Sequence, residues 1–152
     1  MKKTTLLING VSLPYHVLDK ALEHAKNNRL PVLTVFIYEN IDEKDYKVSP
    51  EAEEMSKAEL SESNAAKNLE ELVQHNSSYV ETFFDKNDIV YEVVILRNPT
   101  IEEIVNSLKT ADQIFIDHDT FTHPDEFAYV NFTLEDLEEQ IAAKIVWCKR
   151  PK

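Results

Sequence analysis

"TTLLINGVSLPYHVLDKALEHAKNNRLPVLTVFIY", Thr4 to Tyr38, changes its hydrophobic period twice, and those changes decide the fold class. Thr4 to Asn9 is β-rich and nearly all apolar, the composition of a strand covered on both faces of a parallel sheet. Val17, Leu18, Ala21, Leu22 and Ala25 then recur at helical spacing, with Ser12 as the expected N-cap and Pro14 in the first turn. Leu30 to Tyr38 is a second buried strand. Two strands joined by a helical crossover of this length must run parallel.

The alternation continues outward from this unit. Residues 39–50 are polar and acidic and read as a surface loop. A long helix is predicted from Pro50 to about Phe84, with Ser49 as cap and Leu69, Leu72, Val73, Val80, Phe83 and Phe84 as its core face. Its first part, residues 50–68, is mostly polar and suits solvent or a partner. Asp88 to Leu96 is a third strand. A helix follows, with Asn98 as cap, Pro99 at its first position, and Ile101, Ile104, Val105 and Leu108 on one face. Gln113 to Asp117 is a fourth strand. A capping pattern from Thr133 to Asp136 opens a short helix, and Lys144 to Lys149 closes the chain as a fifth strand. Right-handed crossovers turn this order into an α/β fold: three α/β/α layers around a five-stranded, parallel, open, Rossmann-like sheet.

The 152 residues suit one domain spanning 1–152. A net charge of −12 works against nucleic acid and against anionic membranes, because both demand phosphate neutralisation by Lys and Arg. The single cysteine, Cys148, excludes an internal disulfide, and the short apolar run after "MKK" is not a signal peptide. "LPVLTVFIY" falls far below the ~20 residues of a membrane helix. A cytoplasmic protein is expected.

In open α/β sheets the ligand crevice lies beyond the carboxyl ends of the strands that flank the reversal of strand order. If the first and fourth strands flank it, the crevice residues are Asn9 and Gly10 on one side, Asp117 and Thr120 on the other. The segment "QIFIDHDTFTHPDEF", Gln113 to Phe127, therefore sits at the default binding position and concentrates acids and histidines there. Asp117 and Asp119 have the Asp-x-Asp spacing of haloacid-dehalogenase-type phosphohydrolases. Phe121 stands where Thr or Val is required, however, and too little chain follows for the remaining catalytic groups. Asp117, Asp119 and His123 are the candidate metal ligands, with His118 and Asp125 close by. Against them, the spacing matches no closed site and adjacent strand residues point to opposite faces. An exposed acidic loop fixed by Pro124 accounts for the same residues.

Other single residues have plain structural readings. His16 and His24 read as surface or partly buried helix positions, and Ser12 as a cap with no nucleophile elbow around it. Cys148 reads as inert packing, and Tyr38 and Trp147 as core or interface aromatics. No catalytic residue emerges, so an enzyme is not expected.

Three segments carry a family resemblance. "TLLINGVSLPYHVLDKALEHAKNNRLPVLTVFIYE" is similar to the first strand, helix and second strand of the universal stress proteins. "RNPTIEEIVNSLKTADQIFID" resembles their third crossover, and "IAAKIVWCKRP" their last strand. The resemblance implies an adenine nucleotide alpha hydrolase-like fold. It also implies two branches, one that binds ATP or a related nucleotide and one that does not. In the ATP-binding branch an aspartate ends strand one, where this chain has Asn9. That branch also carries a loop Gly-x2-Gly-x9-Gly followed by Ser or Thr, whereas "DHDTFTHPDEFAYVNFTLED" contains no glycine. A phosphate nest needs positive φ and close backbone approach, and Asp117, Asp119, Asp125 and Glu126 add repulsion.

The resemblance thus implies a non-catalytic, UspA-like stress or regulatory domain without ATP or another cofactor. Dimers of the family pair through the last strand, which makes Ile145, Val146, Trp147 and Cys148 the implied homodimer interface. A protein partner fits the same reading. The alternative is a small-molecule, nucleotide or metal-binding domain that uses the altered crevice between strands one and four.

Overall fold

The computed structural model describes residues 2–39, 52–118, 130, 132 and 134–149; for 52–68 and 134 it describes the backbone alone. The order is β1 (Lys3–Asn9), α1 (Tyr15–Asn28), β2 (Val32–Tyr38), α2 (Ala52–Lys86), β3 (Tyr91–Arg97), α3 (Ile101–Ser107), β4 (Ala111–Asp117), α4 (Leu134–Glu138) and β5 (Lys144–Cys148). All five strands pair in parallel, in the order β3-β2-β1-β4-β5. The expected fold class holds, and the strand order reverses between β1 and β4. The expected caps Ser49 and Thr133, with Pro50, lie outside the described residues.

Two hydrophobic clusters sandwich the sheet. Leu6, Ile8, Val32, Phe36 and Phe115 meet Val17, Leu18, Ala21 and Ala25 of α1 and Leu69, Val73, Val80 and Phe84 of α2. Leu7, Leu33, Val35, Ile37, Ile114 and Ile116 meet Ile104 and Leu108 near α3 and Leu137 of α4. Alternate strand residues point to opposite faces, and both faces are covered, so β1 and β2 are apolar without alternation. Each fully buried Leu, Ile or Phe contributes roughly 1.5–3 kcal/mol. The described segments contain no helix long and apolar enough to cross a membrane.

Four local expectations need correction. Ser12 is exposed and does not cap α1: Pro14 is the N-cap, without a side-chain bond, and its carbonyl accepts from Val17 N–H. Pro14 has no N–H to leave orphaned, which suits it to a helix entrance. Asn98 does not cap α3 either. It turns the chain at φ 49, donates its N–H to Tyr38 O and leaves Thr100 to cap. Thr100 and Glu103 form a reciprocal capping box.

Third, Leu72 is 46% exposed, because the buried face of α2 runs through Leu69, Val73, Asn76, Ser77, Val80 and Phe84. Fourth, β3 begins at Tyr91, after a tight exit from α2. Asp88 is left-handed at φ 58, and Ile89 N–H reaches back to Phe84 O, the Schellman closure. Arg29, at φ 54, closes α1 the same way through Leu30 N–H and Ala25 O. These left-handed positions are held by side chains that cost roughly 1–2 kcal/mol each there. The chain's one glycine, Gly10, is kept for φ 94 at the exit of β1, where its N–H donates to Ile37 O.

Candidate functional site

The reversal between β1 and β4 brings Asn9, Gly10 and Asp117 to one end of the sheet, as expected. Thr120, Asp119 and His123 lie outside the described residues. All three placed residues are buried, with Asn9 and Asp117 each 5% exposed.

Asn9 does not present its amide to an open crevice. Its Nδ2 donates to Val130 O at 3.0 Å, and its Oδ1 accepts from Val130 N–H at 2.8 Å. A primary amide has one acceptor and one donor edge, and a single backbone residue meets both. The side chain therefore acts as a short piece of extra strand that holds Val130 at the end of β1. An aspartate cannot do this, since its carboxylate only accepts.

Asp117 is paired as well. Its Oδ1 lies 3.1 Å from His16 Nε2, and the same nitrogen lies 3.2 Å from Cys148 O. Both oxygens are acceptors, so Nε2 carries its hydrogen toward them. His16 thus ties the first turn of α1 to the ends of β4 and β5. Just outside this tie, His118 meets Trp147 edge-on at 6.0 Å. On the α2 side, Asn76 Nδ2 donates to Val11 O at 2.8 Å and fixes the loop after β1.

Cys148 is buried beneath these contacts. Desolvation by burial raises its thiol above the ordinary range, Lys20 opposes that shift, and the Asp117 charge adds to it. A thiol held neutral is a poor nucleophile, in line with inert packing. Among the described residues no group of three or more His, Cys, Asp or Glu is arranged to hold a metal.

Helical spacing places His16 only as a surface or partly buried helix residue and does not show its part in this tie. A signal exists nonetheless. The helix after strand one starts at the carboxyl end of the sheet, so a polar residue in its first turn overhangs the crevice. Asn76 carried a weaker signal, as a polar residue in register with the apolar face of α2. Ile145, Val146 and Trp147 are half-buried and Cys148 is buried. Their strand β5 is an edge of the sheet.

No family model matches the chain, and no curated protein matches it. Solved structures do match. Universal stress protein UspA from Lactobacillus plantarum superposes with a TM-score of 0.65 at 10% identity, over 97% of this chain and 99% of that one. A protein from the universal stress protein family of Burkholderia pseudomallei gives 0.58 at 12% identity, over 95% and 94%. A universal stress protein in complex with cAMP gives 0.50 at 8% identity, over 98% of both chains. At such identities the likeness is one of fold, and the chain has the universal stress protein fold over nearly its whole length.

Proposed function

We propose that the chain is a non-catalytic, universal-stress-protein-like stress or regulatory domain that acts through dimerisation or partner binding and does not bind ATP. The observation that carries this reading is the pair of hydrogen bonds between the Asn9 side chain and the Val130 backbone. The position that the resemblance gives to a nucleotide-reading aspartate is here spent on closing the crevice. His16 closes the β4 side in the same manner. The edge strand β5 supplies the surface for assembly, through Ile145, Val146, Trp147 and Cys148. A reducing cytoplasm suits the lone buried thiol.

The second reading is a small-molecule, nucleotide or metal-binding domain that uses Asn9, Gly10, Asp117 and Thr120 in an altered crevice. It is favoured by the structural neighbour solved with cAMP. Thermal shift and calorimetry with ATP, AMP, cAMP, Mg²⁺, Mn²⁺ and Zn²⁺ separate the two, because specific binding raises stability by mass action. The first reading expects no shift with any of them and a dimer in sedimentation velocity at micromolar concentration. A saturable shift with a nucleotide favours the second reading, and a monomer removes the proposed assembly.

A further inference from the structure

A cavity of about 300 Å³ opens at the end of the sheet opposite the crevice, beside the amino ends of β1, β4 and β5. Lys2, Lys109 and Lys144 line it, from just before β1, the turn after α3 and the first position of β5. No basic run in the sequence announces them; the strand order brings them together. In a chain with 28 acidic residues against 16 Lys and Arg, three lysines around one cavity invert the local sign.

The acid in this lining, Asp112, has one carboxylate oxygen engaged by His24, and three lysines against one aspartate leave the lining net positive. Lys3 pairs with Ala111 and Thr4 with Gln113, so the register passes over Asp112 in a bulge. The bulged residue bonds His24 of α1, with Oδ2 3.0 Å from Nε2. Asn28 Nδ2 stands 3.1 Å from the other ring nitrogen, and the ring tilts against Phe115. Three backbone carbonyls near the lysines already accept N–H groups. Leu108 N–H occupies Val105 O, Ala111 N–H occupies Leu108 O, and Lys3 N–H occupies Thr110 O. Leu108 and Ile141 supply an apolar wall, and Gln140 Nε2, which donates one hydrogen to Asp136 O at 3.2 Å, carries a second hydrogen.

We infer that this cavity is a binding site for a small organic phosphate. The volume lies at the lower end of the range for small-molecule pockets. Three ammonium groups suit a dianion better than a monocarboxylate, and a phosphate monoester carries about −1.5 to −2 charges and three strong acceptor oxygens. The site stands apart from the β1–β4 crevice, so it survives or fails independently of the function proposed above.

Phenyl phosphate is a suitable probe, followed by ¹⁵N-resolved NMR on the full chain. Saturable shifts are expected at the amides of Leu108 to Asp112 and Ala142 to Lys144, with none from phenol and weaker binding at high salt. Lys109→Glu with Lys144→Glu should weaken the affinity about tenfold or more, and Lys109→Gln with Lys144→Gln provides the same readout if charge reversal disturbs folding. The inference is overturned by the absence of saturation at about 10 mM probe, by unchanged affinity in a folded variant, or by shifts confined to Gly10 and His118.

Discussion

Asn9 and Val130, 121 positions apart in sequence, bond to each other twice, side-chain amide against backbone amide. The pair joins the end of the central strand to Val130, which precedes α4 in the chain. It also takes the polar groups that would otherwise face the crevice.

Replacing Asn9 by Asp removes the donor to Val130 O and turns an acceptor toward it. A buried acceptor left without its donor costs roughly 1–3 kcal/mol. Asn9→Asp is therefore expected to lose about 2 kcal/mol in urea unfolding and to gain no thermal shift with ATP. ATP binding by this single variant would show that the crevice stays open and only the side chain was wrong.

His16 is expected to stabilise the fold through its two oxygen partners. His16→Ala should cost about 1–3 kcal/mol, because the buried Asp117 carboxylate loses a donor along with Cys148 O. His16→Gln keeps an N–H near the same place and should recover part of the loss. Equal stability of all three proteins in denaturant would show that the tie contributes nothing.

Assembly through β5 predicts a sensitive position at Val146, half-buried on the edge strand. Val146→Lys should raise the dimer dissociation constant at least about tenfold, since a charge on an edge strand opposes strand pairing. Sedimentation velocity measures the constant, and far-UV circular dichroism verifies the fold. A variant that stays dimeric places the interface elsewhere.

Cys148 predicts a pH dependence at the alkaline end. Burial raises the thiol in the folded chain, so the folded state holds its proton after the unfolded chain has begun to lose it. The associated stability is full below the ordinary thiol range of about 8.5 and is lost as pH climbs through the raised value. Stability should therefore fall more steeply at alkaline pH in the parent than in Cys148→Ala. Thiol-specific reagents should label the folded chain far more slowly than the unfolded one. Identical alkaline slopes would remove Cys148 as the cause.

The alternation of strands and helices was legible in the sequence because hydrophobic period is local. Residues 4–9 and 32–38 show this, as both of their faces are covered and their composition says so. Helix entrances were less legible. Ser12 and Asn98 are good caps by residue type, but Pro14 and Thr100 took the position once the backbone path out of β1 and β3 was set. Leu72 looked like core because its neighbours are apolar, yet it lies off the line joining Leu69, Val73 and Val80.

The crevice shows the same division. Its location followed from topology, and Asn9, Gly10 and Asp117 are where the pattern put them. Their partners did not follow. Sequence alone determined the layers, the parallel sheet and the residues at the ends of β1 and β4, since each rests on spacing within one element. Only the tertiary structure decided that Asn9 meets Val130, that His16 meets Asp117, and that Lys2, Lys109 and Lys144 share a cavity. Those meetings depend on strand order, register and a bulge at Asp112, and the physical reason is that contacts between distant residues are settled by packing rather than by local period.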